Sequence, residues 1–237
     1  MPDIRSVSET ASTNDDVSAL ALQGAEEGVW LRADRQTAGR GRQGKVWQSS
    51  AGNLLASTLV RIRAGDPPAP TLALVAAVAL AEVVELIGHV RPVIKWPNDL
   101  LVDGAKLSGI LLERTGDAVI VGFGVNLAHH PEGLDRPTTS LAALNGVAPA
   151  PNVVALALAE TFARWVARWR SEGMAPLRAR WLERAHPAGS ALSAKLPDGT
   201  ALDGLFDGLD ESGALRLRLA DGTTHVIHAA DVFLIGD

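Results

Sequence analysis

The residues best suited to chemistry fall in two basic, glycine-interleaved stretches. One is Gly39-Arg40-Gly41-Arg42-Gln43-Gly44-Lys45-Val46-Trp47; the other is Lys95-Trp96-Pro97-Asn98-Asp99, followed by Lys106-Leu107-Ser108-Gly109. Backbone N–H groups in a glycine-rich loop, joined by guanidinium forks, can surround phosphate oxygens, and an indole can cover a planar ligand group. A lysine beside a glycine can approach the same phosphate from another wall. Its ammonium would offset charge gathering in a carboxylate–phosphate transition state. The combination suits activation of a carboxylate by a nucleotide.

Each stretch has a plainer reading. Gly39, Gly41 and Gly44 satisfy Gly-x-Gly-x-x-Gly, but no helical pattern follows, since residues 47–52 read as more loop. Nor is this a Walker loop, because Gly44 is followed by Lys45-Val46 rather than by Lys-Ser/Thr. A solvated surface loop is the bland alternative; the density of glycine and cations ending in Trp47 favours a loop that orders around a ligand. Asn98-Asp99 suits a turn and Trp96 suits the core. Lys95 and Asp99 bracket a rigid proline turn as an oppositely charged pair, and Asp99 could hold Mg²⁺ or accept a proton from an amine nucleophile. Lys106 alone would pass for an exposed turn lysine. His129-His130, and His225 with His228, make no obvious chelate.

Several elements must position these groups. Thr13 followed by Asp16 predicts an N-cap and a helix over 14–23. Strands are predicted at 28–33 and 54–63, on either side of the glycine-arginine loop, and at 92–96. Residues 100–102 and 107–113 flank Asp103-Gly104 as a hairpin, with a further strand at 118–125. Apolar 71–86 reads as a buried helix, 152–172 as a long amphipathic helix and 176–183 as another. From Gly189 onward, short β-prone runs are split by Asp198-Gly199, Ser212-Gly213 and Asp221-Gly222. The expected fold is therefore α+β, a mixed or antiparallel sheet with helices over residues 1–187, followed by a small β-barrel over 188–237.

Composition narrows the class. With 237 residues, 47% of them hydrophobic, the chain can bury a sizeable core. A net charge of −5 argues against nonspecific binding to nucleic acid. The lack of cysteine excludes disulfides, thiolate metal sites and a thiol nucleophile. Met1-Pro2-Asp3-Ile4-Arg5 does not open a secretory signal, and the 71–86 run is short for a membrane span and carries Glu82 and Glu85. A cytoplasmic enzyme with no membrane partner is expected.

Taken together, Ser12-Thr13-Asn14, Gln36 to Gly44 with Trp47, Lys95 to Asp99, Lys106 to Leu111, and Gly122-Phe123-Gly124-Val125-Asn126 resemble the biotin protein ligases in order and spacing. The resemblance implies a class II synthetase-like catalytic domain with an SH3-like C-terminal domain. It implies that biotin and Mg·ATP give biotinyl-5′-AMP and pyrophosphate, and that a lysine of a biotin carboxyl carrier domain then attacks the mixed anhydride. By the same resemblance Ser12, Thr13, Asn14, Gln36, Gly39, Arg40, Trp47 and Gly109 bind the ligands. Lys106 meets the biotin carboxylate and the α-phosphate, and Asn126 lies at the nucleotide. Arg40 and Arg42 add positive charge, while Asp99 binds metal or orients the acceptor lysine. Gln43 stands where many relatives carry a basic residue, and Ser108 where alanine is common. Only seven residues precede Ser8, so the winged helix of the repressor-type relatives is not expected, nor is DNA binding; a homodimer paired through the sheet is possible. Two rivals remain: a lipoate or octanoyl ligase of the same fold, and a biotin-sensing module without catalysis.

Overall fold

Side-chain alternation explains the larger sheet. The computed structural model describes residues 2–48 and 50–235, so Ser49, in the stretch expected to be loop, lies outside them. The strand Ala118–Val125 sends Val119, Val121, Phe123 and Val125 into the main apolar cluster, while Ala118 and Ile120 join a smaller one on the opposite face. Gly122 and Gly124 continue that second row without side chains.

In chain order the sheet contains β1 (Ile4–Thr10), β2 (Trp30–Gln36), β3 (Leu54–Arg61), β4 (Val93–Lys95), β5 (Asp99–Val102), β6 (Ala105–Thr115) and β7 (Ala118–Val125). Their spatial order is β1-β2-β3-β7-β6-β5-β4. β1 and β2 are parallel, joined by helix α1 (Thr13–Leu22), and the other pairs are antiparallel, so the sheet is mixed. β1 has no counterpart among the sequence-based expectations. It is an edge strand with four exposed residues, so its burial leaves little hydrophobic pattern to read. The predicted hairpin is present at Asp103-Gly104, where both residues take positive φ, 49° and 77°.

Helix α2 (Leu72–Gly88) is apolar nearly all round because it lies between the sheet and two more helices, α4 (Pro151–Glu172) and α5 (Met174–Leu182). With its leading 3₁₀ turn it forms a 20-residue segment, Ala69–Gly88, long and apolar enough to cross a membrane by length and composition. The short-run argument therefore falls, while the buried-helix reading stands: most of that segment is inside the protein. Trp30, Phe123 and Phe162 meet at centroid separations of 5.6–6.0 Å and lock α4 to β2 and β7. A short helix, α3 (Leu141–Asn145), was not foreseen; Ser140 caps it by accepting from the Ala143 amide.

The C-terminal strands β8 (Ala191–Lys195), β9 (Ala201–Leu209), β10 (Leu215–Arg218), β11 (Thr224–Ile227) and β12 (Asp231–Leu234) form a second, antiparallel sheet ordered β11-β10-β9-β8-β12. Its inward side chains, among them Leu192, Phe206, Leu215, Leu217 and Val232, belong to the same apolar cluster as α2 and β7.

Candidate active site

Where Gly122 and Gly124 interrupt the side-chain row of β7, a cavity of about 550 Å³ opens. α1 packs its apolar residues on the Ala118 and Ile120 end of that face and sets Asn14, in its first turn, over Gly122. A Cβ on Gly122 would lie 2.3 Å from Asn14 Oδ1, and one on Gly124 would lie 2.4 Å from Cε2 of Trp47. Gly109 pairs with Gly124 across the ladder, and a Cβ there would meet Trp47 and Lys106 at 3.1 and 3.2 Å. Gly109 and Gly124 thus form a floor on which the indole rests, while Gly122 makes room for the Asn14 amide. A register shift in the β5–β6 pairing, next to Leu107, inserts one extra residue into β6 ahead of this floor. The bulge turns Lys106 toward the side that Gly109 faces.

One wall is the start of α1. The N-cap is Ser12, not Thr13, and Ser12 makes no side-chain cap bond. Thr13 is instead the first helical residue. Its amide and hydroxyl both donate to Gln36 Oε1, at 2.8 and 2.9 Å, and the hydroxyl lies 2.7 Å from Ser57 Oγ. Ser57 Oγ donates to Asn14 Oδ1 at 2.7 Å, and Asn14 Nδ2 donates to Glu113 at 2.6 Å. The uncharged part of this chain, Thr13, Gln36, Ser57 and Asn14, can read a polar, uncharged ring, and the Glu113 carboxylate anchors its far end. Ser57 and Glu113 escaped the sequence reading because nothing in their local pattern sets them apart from ordinary strand residues.

The glycine-arginine loop forms the cover, and it is built rather than floppy. Arg40 bridges to Val46, residues 42–44 make a 3₁₀ turn, and the Trp47 amide donates to the Gly39 carbonyl at 2.9 Å. Arg40 grips Asp15 with both guanidinium arms at 2.6 and 2.9 Å, which raises its already high pKa and lowers that of Asp15. Arg42 donates to the Ala230 carbonyl at 3.3 Å, and Lys45 to Asp231 at 2.6 Å. Burial acts to raise the Asp231 pKa, but the Lys45 bond and the nearby arginines hold it below the usual value. Arg40 and Arg42 therefore reach a ligand only by exchanging these partners.

The opposite wall carries the lysines. Asp99, its side chain 10% exposed, accepts from Lys106 at 2.7 Å and lies 3.5 Å from Lys95. Lys95 also donates to the Val232 carbonyl at 3.1 Å, and burial, more than neighbouring charge, lowers its pKa. Asp99 does not fit the metal-holding role expected of it, because both carboxylate oxygens face ammonium groups. Among the described residues no group of three or more His, Cys, Asp or Glu could hold a metal ion. Asn126 is 2% exposed; its Nδ2 donates to the Thr139 carbonyl at 3.0 Å, leaving a buried Oδ1 with no donor. A ligand N–H would satisfy it.

Every expected site residue lines this cavity except Gly39: Ser12, Thr13, Asn14, Gln36, Arg40, Arg42, Trp47, Asp99, Lys106, Gly109 and Asn126. Gly39 acts through its carbonyl, which holds Trp47. The cavity also takes residues the sequence did not flag, notably Arg136 from the segment after β7 and Asp231, Val232 and Phe233 from β12. No local motif marks them; only the docking of the second sheet brings them in. His130 is engaged structurally, its Nδ1 3.1 Å from Ser140 Oγ.

A cavity with a neutral polar end, a cationic end and a tryptophan cover, set on this mixed sheet, is the architecture of a protein ligase that handles a small acid. Residues 7–126 match the biotin/lipoate A/B protein ligase family and residues 189–235 match the biotin protein ligase C terminal domain. The chain belongs to the biotin/lipoate A/B protein ligase family. Within it, the chain is 41% identical to the biotin–[acetyl-CoA-carboxylase] ligase of Paracoccus denitrificans, over 97% of this chain and 100% of the relative. It is 36% identical to the enzyme of the same description from Mycobacterium tuberculosis, over 95% of this chain and 86% of that one. Among solved structures it is similar to the biotin protein ligase from Aquifex aeolicus in complex with biotin and ATP, with a TM-score of 0.88, 25% identity and 99% coverage of both chains.

Proposed function

We propose that the chain joins biotin to AMP at the expense of ATP and passes the biotinyl group to a lysine of a biotin carboxyl carrier domain. The observation that carries this reading is the polarity of the cavity. At one end Thr13, Asn14, Gln36 and Ser57 form a neutral hydrogen-bonding network suited to a ureido ring, and at the other Lys106 sits over Gly109 where a carboxylate would end. The biotin carboxylate oxygen attacks the α-phosphorus, the bond to the bridging oxygen breaks, and pyrophosphate departs with that electron pair. Lys106 opposes the charge gathering at this junction. An acceptor lysine amine then attacks the acyl carbon and AMP leaves.

Ser12, Thr13, Asn14 and Gln36 hold biotin, with Trp47 packed against it and Gly109 leaving room for it; Asn126 takes a donor from the nucleotide, and Arg40 and Arg42 turn to the phosphates. Asp99 orients Lys106 and Lys95. Mg²⁺ enters with the triphosphate, since both Asp99 oxygens face lysines and Asp231 is held by Lys45. The division into a catalytic part, residues 1–187, and an SH3-like part from 188, a homodimer paired through the exposed β1 edge, a cytoplasmic site of action, and the absence of DNA or membrane partners complete the reading. The last is supported by the net charge of −5.

Lipoate is the competing acid, because the family model spans both. The curated relatives favour biotin. Purified protein given ATP, biotin or lipoate, and both carrier domains decides the matter by mass spectrometry. Biotin-dependent pyrophosphate exchange and a biotinylated carrier are expected; lipoylation alone would overturn the reading, and ligand binding without pyrophosphate release would make the chain a sensor.

A further inference from the structure

The uncharged end of the cavity has one more close oxygen contact than it has hydrogens to fill. Ser57 Oγ lies 2.7 Å from Asn14 Oδ1, Thr13 Oγ1 lies 2.7 Å from Ser57 Oγ, and Thr13 Oγ1 lies 2.9 Å from Gln36 Oε1. Neither amide oxygen carries a hydrogen, so these three contacts depend on the two hydroxyl hydrogens of Ser57 and Thr13. Both amides are held in place by other partners. The Thr13 backbone N–H donates to Gln36 Oε1 at 2.8 Å, which keeps that oxygen turned to Thr13. Glu113, a carboxylate that only accepts, takes a hydrogen from Asn14 Nδ2 at 2.6 Å, so Asn14 must offer its oxygen to Ser57. The Ser57 hydrogen is thereby committed to Asn14. The single Thr13 hydrogen serves Gln36 or Ser57 but not both, and one pair of oxygens is left facing with nothing between them. Thr13, Asn14 and Ser57 are 3%, 5% and 0% exposed, so solvent has little access to that pair.

A ligand N–H removes the shortfall. Aimed between Thr13 Oγ1 and Gln36 Oε1, it places a hydrogen between those two oxygens and lets the Thr13 hydroxyl turn to Ser57, so that every contact holds a hydrogen. A ligand oxygen in the same place adds another lone pair and makes the mismatch worse. Without Glu113 the Asn14 amide is free to turn over. Its Nδ2 then donates to Ser57, Ser57 donates to Thr13, and Thr13 donates to Gln36, which fills all three contacts with no ligand at all. We propose that Glu113 is a positioning residue that sets the hydrogen-bond polarity of this end, so that the site selects an acid whose ring carries an N–H donor. Neither Glu113 nor Ser57 lines the cavity; both act through Asn14 and Thr13, which do. The inference rests on the function proposed above and adds the means by which a ureido ring is told from the dithiolane ring of lipoate, which has no N–H.

Isothermal titration of biotin, and of its two cyclic carbamate analogues in which one ring N–H or the other becomes a ring oxygen, tests this on the full-length protein. The parent should prefer biotin over at least one carbamate by about a hundredfold or more, as expected where a buried acceptor is left facing an oxygen. In Glu113→Met the preference should fall to about tenfold or less, because the Asn14 amide can turn over. The Glu113 side chain is 38% exposed, so this change leaves the core intact. Ser57→Ala removes the same excess contact and should lower the preference likewise. Adding Glu113→Met to Ser57→Ala should then change it by less than about twofold, since the two residues act along one chain. An equal loss of affinity for biotin and both carbamates in Glu113→Met would show a merely structural role and overturn the proposal. Additive effects in the double variant, or a parent with no preference between the rings, would also overturn it. Glu113-dependent preference in a protein with no biotin-dependent pyrophosphate exchange would instead sink the proposed reaction and leave the polarity standing.

Discussion

Lys106 is the side chain on which the chemistry turns. It lies against Gly109, under the Trp47 ring at 5.8 Å, and is steered by Asp99. Lys106→Ala should slow adenylate formation by about 10²-fold or more while biotin binding changes little, because the ammonium acts where charge develops in the transition state. Single-turnover pyrophosphate release set against equilibrium biotin binding checks this; equal turnover in mutant and parent would reject the role. Lys95 makes a different prediction. Burial lowers its pKa below the usual 10.5 despite the attraction of Asp99, with Arg136 and Lys106 adding repulsion. A base with a depressed folded pKa costs stability while charged, and the cost is relieved as pH rises through that folded value. An anion bound beside it reverses the shift, so ATP binding should take up protons in the alkaline window below 10.5. Titration calorimetry in two buffers of different ionisation enthalpy measures the uptake, which should vanish in Lys95→Met.

At the scale of elements, the site exists because strands lose side chains where another group must approach. Gly124→Ala would put a Cβ 2.4 Å from the Trp47 ring, closer than real contacts allow, so the indole must leave its seat and take the cover with it. Biotin affinity should fall by about tenfold, the cost of one well-packed aromatic contact. The melting temperature should move little, since Trp47 packs against the cavity rather than the core; a large drop in stability with normal biotin binding would contradict this. Asn53 illustrates the same economy at the end of β7. Its Oδ1 accepts from the amides of Leu127, Ala128 and His129, each at 3.0 Å, and its Nδ2 donates to the His129 carbonyl. That clamp sets the direction of the segment carrying Arg136. The sequence showed the hairpin at Asp103-Gly104 and the long helices, whose turn residues and periodicity are local. It did not show the bulge beside Leu107, which depends on how β5 and β6 align.

For the whole molecule, the two sheets share one apolar cluster, and the indole N–H of Trp96 donates to the Gly213 carbonyl at 3.1 Å across their junction. The protein should therefore unfold in a single calorimetric transition; two separated transitions would show that the C-terminal sheet is independently stable. The cover is tied to that sheet by Lys45 and Asp231. Because the pKa of Asp231 is lowered, the tie contributes fully above its unfolded value of 3.8 and is lost as pH falls through the lower folded value. Protease cleavage within residues 39–47 should increase in Asp231→Asn at neutral pH, and in the parent only on acidification.

The sequence alone determined what depends on local pattern: the α+β class, the glycine-arginine loop, the Lys95–Asp99 turn, Lys106, and through their order the family. Those features are written in residue type and spacing, which a linear chain displays directly. Tertiary structure decided which charges are spent and which remain. It paired Arg40 with Asp15 and Lys45 with Asp231, turned both Asp99 oxygens toward lysines, and brought Arg136 and Phe233 to the cavity from distant stretches. Coulombic balance is a property of separation in space, and sequence distance does not encode it.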